Sequence, residues 1–286
     1  MIIGNPNSGR AESRGYLERC AQILRSSGLG VEVLNTERPD HATKLASSAD
    51  ASLVVAAGGD GTINEVINGL ARKATLAILP LGTANVLARE LGLPLDVERA
   101  CERILRGHRA RIDLGVATNR EGVERRFACM AGIGFDAKVV GAVTPRMKRY
   151  LRGLAFALTA FKVLVKEDFP SMRLIHGDTT HVTRFAIVAN AHHYGGDLRA
   201  ASDPDLLTSG ELQVVLVGRV SGLLRPDVLG SLLARRPLDR SMRFFRATEL
   251  RACAPGAHVP VQIDGEVWGS LPMSFHVEPR TLEVAR

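Results

Sequence analysis

The sequence has few aromatic residues, and this scarcity argues against one class of partner. Phe, Trp and Tyr together make up 5% of the 286 residues. No stretch alternates aromatic with basic side chains, as surfaces that stack single-stranded nucleic acid do. The net charge of +7 therefore points to an anionic membrane surface or a polyphosphate ligand. We expect no nucleic-acid partner.

Cysteine is also scarce, and its spacing argues against a zinc site. The four cysteines lie at positions 20, 101, 129 and 253, without the Cys-x-x-Cys pair of zinc sites and redox couples. The eight histidines show no ligand spacing either. Cys20 and Cys101 fall on the apolar faces of predicted helices, so we expect them in the core.

Long hydrophobic runs and a secretory leader are missing as well. The longest apolar stretch, residues 153–165, is interrupted by Lys162 and is shorter than the roughly 18 residues that span a membrane. The N-terminal residues contain no basic segment followed by an apolar core, as a signal peptide would. We expect a cytoplasmic protein.

One segment favours peripheral contact with the inner face of a membrane. Basic residues at 146–152 precede the apolar side chains of Leu154, Phe156, Leu158 and Phe161. This pattern suits an anionic bilayer, and it equally suits a helix that packs on the protein with its basic end in solvent. Both interpretations stay open.

The patterns that are present predict two domains. Residues 1–113 alternate short β-branched runs with amphipathic helices, which indicates an α/β domain with a parallel sheet. Residues 114–273 indicate a mainly antiparallel β domain. Its predicted strands lie at 126–131, 184–189, 212–217 and 259–263, and two helical insertions interrupt them at about 145–166 and 226–235.

A glycine-rich loop follows a buried strand in the first domain. The apolar run 53–57 ends at Gly58-Gly59-Asp60-Gly61, and Thr62 with Glu65 forms a capping box that predicts a helix start. Glycines let an anion approach the backbone N–H groups at the positive end of a helix. The loop lacks the Gly-Lys-Ser/Thr of a Walker loop, and Asp60 is suited to hold Mg²⁺ or its waters. We predict a phosphate site rather than a plain Asp-Gly turn.

A second strand, glycine turn and helix follow the first. Residues 76–81 form the strand, Gly82-Thr83 the turn, and Ala84 begins a helix whose buried stripe leaves out Val86. Two such units bring two helix N-termini to one edge of a parallel sheet, where α/β proteins bind ligands. Asp113 follows a third short apolar run. It either adds a carboxylate at that edge of the sheet or is a surface residue.

Six segments, taken in order, resemble the diacylglycerol kinase catalytic family, and more closely the soluble bacterial lipid kinases related to sphingosine kinases. The resemblance covers nearly the whole chain, whereas the first glycine loop alone is shared with NAD kinases. The segments are Asn5-Pro6-Asn7-Ser8-Gly9, Gly58-Gly59-Asp60-Gly61-Thr62-Ile63-Asn64-Glu65, Leu81-Gly82-Thr83-Ala84-Asn85, Ile112-Asp113-Leu114-Gly115, Gly132-Ile133-Gly134-Phe135-Asp136 and Asp264-Gly265-Glu266.

The resemblance implies a kinase that uses ATP and Mg²⁺ to phosphorylate a lipid hydroxyl. It implies an α/β N-terminal domain like those of NAD kinase and phosphofructokinase, a β-sandwich C-terminal domain, a cleft between them, and a tail after about residue 274 that returns to the first domain. Asp60 and Asp113 would serve the metal, and Asp264 would be the general base with Glu266 beside it. The ATP contacts would be Asn5, Ser8, Gly9, Thr36, Gly58, Gly59, Asp60, Gly61, Thr62, Asn64 and Thr83.

The residues around Asp264 favour a second interpretation. Asp-Gly between two short apolar runs is a strong hairpin signal. A carboxylate within hydrogen-bond reach of a hydroxyl can also take its proton during phosphoryl transfer. Geometry must decide between the turn and the base.

Two departures from the family leave alternative functions open. Val86 stands where many relatives have aspartate, so one carboxylate of the metal network is missing. Ser209-Gly210-Glu211 stands at the family's Asp-Gly metal site in the second domain, so we expect no structural magnesium there. The alternatives are an NAD kinase-like enzyme and a nucleotide- or lipid-binding protein without catalysis.

Overall fold

The computed structural model describes residues 1–6, 8, 13–143, 159, 162–163, 169–195, 198–199, 203–217 and 242–286. No helix in these ranges is long and apolar enough to cross a membrane. The chain divides into unit 1, Met1–Leu114 with Pro279–Arg286, and unit 2, Gly115–Glu278. The predicted helices at 145–166 and 226–235, and with them the basic and apolar segment 146–161, lie almost entirely outside the described residues.

Unit 1 is built on a parallel sheet. Its elements are β1 (Ile2–Gly4), α1 (Ser13–Ser26), β2 (Val33–Asn35), α2 (His41–Ser47), β3 (Leu53–Gly58), α3 (Asp60–Gly69), β4 (Thr75–Pro80), α4 (Val86–Glu90), α5 (Val97–Leu105) and the first part of β5 (Arg109–Thr118). The strands lie in the order β2-β1-β3-β4 with parallel neighbours. The last strand of the chain, β18 (Met273–Ala285), adds Glu283 and Val284 in parallel beside β4.

Apolar stripes on the helices hold unit 1 together. The predicted stripe of α1 and most of that of α5 pack in one cluster with Val55 and Leu79 of the sheet, which confirms the helical periodicity in these segments. Leu105 does not join them and is 37% exposed, because α5 ends at this residue. Helices α2 and α3 pack against each other and on strands β1 and β3.

Unit 2 is an antiparallel β-sandwich. Its further elements are β6 (Glu124–Phe127), β7 (Met130–Gly134), α6 (Phe135–Ala142), β8 (Met172–His176), β9 (Thr179–Thr183), β10 (Phe185–Ala189), β11 (His193–Gly195), β12 (Leu198–Arg199), a 3₁₀ turn (Leu206–Thr208), β13 (Leu212–Val217), β14 (Met242–Ala247), β15 (Glu249–Cys253), β16 (Pro260–Ile263) and β17 (Glu266–Ser270). One sheet has the order β14-β13-β10-β7-β16-β17, and the other contains β18-β15-β8-β9. A single core cluster takes Val188 and Val214 from the first sheet and Leu174 and Phe275 from the second. The predicted fold, a parallel α/β domain followed by a β-sandwich, is confirmed.

One predicted strand of unit 2 is two strands. The pattern at 126–131 predicts a continuous strand, but β6 ends at Phe127 and β7 begins at Met130. The backbone N–H groups of Ala128 and Cys129 donate to the carboxylate of Asp264. Because these two N–H groups bond to a side chain, they are not available to a neighbouring strand. The strand is therefore interrupted between β6 and β7.

Tight packing between α2 and α3 gives a stability prediction. A Cβ added at Gly69 would lie 2.1 Å from the backbone oxygen of Thr43, so Gly69→Ala should lower the free energy of unfolding by about 1–3 kcal/mol. The control Gly15→Ala, in α1, meets nothing within 4 Å and should raise it by roughly 0.5–1 kcal/mol. Urea denaturation followed by circular dichroism measures both, and equal stabilities would contradict the packing shown between these helices.

Candidate nucleotide site and the carboxylates of unit 2

The loops that carry the predicted nucleotide-binding residues leave one edge of the unit 1 sheet. Strands β1, β2, β3 and β4 are parallel, so their carboxyl ends lie on the same side. Strands β2 and β3 flank β1 on its two sides, and the strand order therefore changes direction at β1. Open α/β sheets bind ligands at such a switch point.

The turn after β1 lies against the first glycine loop, residues 58–62. The Asn5 N–H donates to the Ala57 oxygen over 3.0 Å, and Asn5 Nδ2 donates to Thr62 Oγ1 over 3.4 Å. The Ser8 N–H closes the turn onto the Asn5 oxygen, and Ser8 Oγ lies 3.8 Å from the place of a Cβ on Gly59. The structure therefore brings Asn5, Ser8 and the glycine loop together.

The first glycine loop touches the second, residues 81–85. A Cβ on Gly82 would lie 2.5 Å from Gly59 Cα, and a Cβ on Gly58 would lie 2.6 Å from Thr62 Cβ. The Leu81 N–H donates to the Gly58 oxygen over 2.9 Å. Glycine is needed at 58 and 82 because backbone and side-chain atoms occupy the space of a Cβ.

The carboxylate of Asp60 joins the two loops through a hydrogen bond. Its Oδ1 accepts the Val86 N–H at the start of α4 over 2.6 Å, where a helix presents partial positive charge. Burial raises the pKa of Asp60, and the backbone N–H groups of Val86, Asn85 and Leu87 oppose that rise. The carboxylate is thus a structural bond between the loops as well as a charge at the site.

The structure corrects the prediction for Val86. Its side chain is buried, at 8% exposure, and α4 begins at Val86 rather than at Ala84. Asn85 precedes it in the left-handed region, with φ of 50°. The Asn85 side chain closes the second loop, because Oδ1 accepts the Gly82 N–H and Nδ2 donates to the Gly82 oxygen, each over 2.9 Å. Asn85 was not among the predicted site residues.

The predicted capping box is also wrong. Helix α3 begins at Asp60, with Gly59 as its N-cap and no side-chain cap, so Thr62 lies inside the first turn. Glu65 Oε2 accepts the Ala42 N–H over 3.0 Å. Glu65 therefore caps the first turn of α2 rather than its own helix.

The remaining residues predicted for the nucleotide differ in their surroundings. The Thr36 N–H donates to the Gly4 oxygen over 2.8 Å at the end of β2. Asn64 is 1% exposed, and its Oδ1 accepts from Asn68 Nδ2 over 3.2 Å. Thr83 is exposed, and Gly9 lies outside the described residues. Their roles in nucleotide binding stay predictions.

Asp113 is a buried residue rather than a surface residue. It has 0% exposure, and its Oδ1 accepts the Arg280 N–H over 2.7 Å. Arg280 has a positive φ of 48°, so Asp113 fixes an irregular position of β18 in unit 1. Within the described part of the chain, no group of three or more His, Cys, Asp or Glu could hold a metal ion.

Asp264 lies in the turn between β16 and β17. Asp264 and Gly265 have φ of 44° and 86°, as two-residue hairpin turns require, and the hairpin interpretation is confirmed. The carboxylate accepts the N–H groups of Ala128, Cys129 and Met130 over 2.8, 2.9 and 2.9 Å. The turn therefore presents a carboxylate that is held in place by backbone donors.

Glu266 and a glutamine surround this turn. Glu266 Oε2 pairs with Arg125 Nη2 over 2.7 Å. Buried Gln262 accepts the Gly265 N–H through Oε1 over 2.6 Å and donates to Asp136 Oδ2 over 2.6 Å. Gln262 was not predicted as a site residue, although a glutamine in an apolar strand was the available signal.

The segment Ser209-Gly210-Glu211 lies beside an arginine. Arg246 pairs with Glu211 over 3.2 Å and also with Asp203. The N–H of Asp205 and the guanidinium of Arg246 hold the pKa of Asp203 below its ordinary value. The positive charge of Arg246 thus offsets the negative charges of Asp203 and Glu211.

Family comparisons agree with the two units. Residues 1–117 match the model of the diacylglycerol kinase catalytic domain, and residues 129–286 match that of the YegS C-terminal NAD kinase beta sandwich-like domain. The chain belongs to the diacylglycerol kinase catalytic family. As a member it is a lipid kinase, in agreement with the resemblance of its motifs.

Curated relatives of the kinase match along almost its whole length. The diacylglycerol kinase of Bacillus subtilis (strain 168) is 28% identical over 289 residues, covering 96% of this chain and 91% of the relative. The diacylglycerol kinase of Staphylococcus carnosus (strain TM300) is 29% identical over 293 residues, covering 98% and 94%.

Solved structures share the fold of the kinase. A crystal structure of a diacylglycerol kinase from Bacillus anthracis str. Sterne has a TM-score of 0.73 at 20% identity, covering 99% of this chain and 95% of that one. Yeast NADH kinase complexed with NADH has a TM-score of 0.54 at 11% identity, covering 99% and 81%. Both likenesses concern the fold alone.

The raised pKa of Asp60 gives a pH-dependent prediction. Asp60→Asn keeps an oxygen for the Val86 N–H and removes the charge. Because the folded-state pKa is raised, the wild type loses stability as pH rises from the ordinary carboxyl range through the raised value. We expect the variant to be at least as stable as wild type near pH 7 and to lose this advantage below about pH 4. Its rate of phosphoryl transfer should be lower by at least about 100-fold.

Urea denaturation across this pH range, with a kinase assay at neutral pH, measures both effects. A variant that is less stable at neutral pH, with the pH dependence of wild type, would show that the charge favours folding.

Proposed function

We propose that this lipid kinase transfers the γ-phosphoryl group of ATP to the hydroxyl of diacylglycerol or a related long-chain lipid, at the cytoplasmic face of a membrane. Unit 1 would bind the nucleotide, and unit 2 would bind the lipid and supply the base. The observation that carries the proposal is the pair of glycine loops joined by Asp60 at the switch point of the sheet. The names of the curated relatives support diacylglycerol as acceptor.

The first glycine loop suits the phosphates of ATP. The backbone N–H groups of the first turn form the positive end of α3. Gly59 and Gly61 carry no side chain that would keep an anion away from them. Asp60 already occupies the start of α4, so α3 is the helix that remains for a phosphate. Asn5, Ser8, Thr36 and Thr83, which follow the neighbouring strands, would contact the rest of the nucleotide.

Asp60 would hold the magnesium ion at this edge of the sheet. When bound, the ion would neutralise the negative charge that develops on the phosphates during transfer. Asp60 would hold it through water, since Mg²⁺ keeps several waters and takes few carboxylates. Asp113, whose Oδ1 is bonded to the Arg280 N–H, would contribute its charge to the same network.

Asp264 would take the proton of the lipid hydroxyl. Three backbone donors orient its carboxylate. Phosphoryl transfer passes through a loose transition state in most analyses, so it needs little proton removal beforehand. Glu266, paired with Arg125, would keep the turn charged and fixed.

Transfer of radiolabel from ATP to a panel of acceptors tests this proposal. The panel is diacylglycerol, a sphingoid base, phosphatidylglycerol and NAD, presented with Mg²⁺. We expect label in diacylglycerol or another long-chain alcohol. Label in NAD alone would overturn the lipid acceptor, and ATP binding without any transfer would favour the non-catalytic alternative.

Asp264→Asn tests the base in the same assay. We expect kcat to fall at least about 100-fold with little change in the Kd for ATP. The control Asn190→Ala removes the bond from Asn190 Nδ2 to the Ala128 oxygen, which measures 2.8 Å. It loosens the segment that Asp264 holds but keeps the carboxylate, so its loss of kcat should be below about tenfold. Equal losses in variants of equal stability would make Asp264 a structural residue only.

A further inference from the structure

Two of the four cysteines meet inside unit 1. Cys20 of α1 and Cys101 of α5 are 81 positions apart in sequence, and their sulfur atoms lie 2.9 Å apart. Both have 0% exposure and belong to the core cluster in which α1 and α5 pack on the sheet. Cys20 and Cys101 are not joined by a disulfide in this structure.

The two thiols are already in position to react with each other. A disulfide bond is about 2.05 Å long, so the sulfur atoms, now 2.9 Å apart, need to approach by less than about 1 Å. Each sulfur lies on a helix that contacts the other helix directly. Bond formation therefore needs no new contact between distant parts of the unit.

The shared hydrogen gives the two sulfurs different reactivity. The hydrogen bond with Cys101 raises the pKa of the Cys20 thiol, and burial adds to the rise. The bond with Cys20 lowers the pKa of the Cys101 thiol, against the effect of burial. Cys101 is thus the sulfur that loses its proton first, and the thiolate is the nucleophile in thiol chemistry.

We propose that Cys20 and Cys101 are a redox modification site, at which hydrogen peroxide converts the thiol pair into a disulfide that cross-links α1 to α5. The Cys101 thiolate attacks a peroxide oxygen, the O–O bond breaks, and hydroxide leaves as water, so that Cys101 becomes a sulfenic acid. The Cys20 sulfur, after losing its proton, attacks the sulfenic sulfur, the S–O bond breaks and a second water leaves. The two sulfurs lose two electrons and the peroxide gains them.

The cross-link would stabilise unit 1 through the unfolded state. A bond between residues 81 positions apart closes a long loop of the unfolded chain, and long loops give the larger stabilisation. Helices α1 and α5 are already in contact in the folded unit. We expect the thermal midpoint to rise by about 5–15 °C on oxidation and to return when a dithiol reduces the bond.

Peptide mass mapping tests the site without changing the sequence. The folded kinase is treated with hydrogen peroxide, remaining thiols are alkylated in denaturant, and the digest is compared with that of a sample reduced by dithiothreitol. We expect one linked peptide pair that contains Cys20 and Cys101, lighter by two hydrogens than the reduced pair. Both cysteines alkylated after the treatment, or either one linked to Cys129 or Cys253, would overturn the proposal.

Two variants separate the cross-link from general oxidation. Cys129→Ser combined with Cys253→Ser should keep both the linked peptide and the rise of the thermal midpoint. Cys20→Ser should lose both, whatever its stability when reduced. A rise of the midpoint that persists in Cys20→Ser would assign the stabilisation to another oxidised residue and overturn the account.

Discussion

The hydrogen bond from the Val86 N–H to the carboxylate of Asp60 is the interaction on which the site in unit 1 depends. It joins loops that follow neighbouring strands, and the contact of Gly59 with Gly82 lets the two backbones approach closely enough for it. The arrangement has an energetic cost, because burial raises the pKa of Asp60. Ionisable groups with perturbed pKa values are common at functional sites, so this cost supports the role proposed for the carboxylate.

A carboxylate organises backbone in unit 2 as well, in a different way. Asp264 takes the N–H groups of three consecutive residues and interrupts a strand, whereas Asp60 meets the first turn of a helix. Gln262 then connects the Asp264 turn to Asp136. In both units a residue with a proposed chemical role also holds the local fold, so a loss of activity in a variant has two causes that only matched controls can separate.

Local patterns in the sequence predicted the strands and helices of unit 1, the glycine turns and the hairpin at Asp264, because each depends on residues a few positions apart. Contacts between distant residues were not predictable in this way. Glu65 caps a helix at Ala42, 23 positions away, and Val86 meets Asp60 across 26 positions. Asp113 meets Arg280 across 167 positions. The capping box and the placement of Val86 outside the buried stripe were wrong, because residue spacing along one helix contains no information about the neighbouring helix or loop.

The central claim is that the backbone of the first glycine loop binds the phosphates of a nucleotide, and NMR of protein labelled with ¹⁵N-glycine tests it most directly. The amide signals of the loop glycines are assigned with single Gly→Ala variants and followed while a non-hydrolysable ATP analogue is added. The account predicts that the signals of Gly59 and Gly61 shift and saturate with the nucleotide, whereas that of exposed Gly30 stays in place. Unchanged signals at both loop glycines, in a protein that still transfers phosphate from ATP, would contradict it.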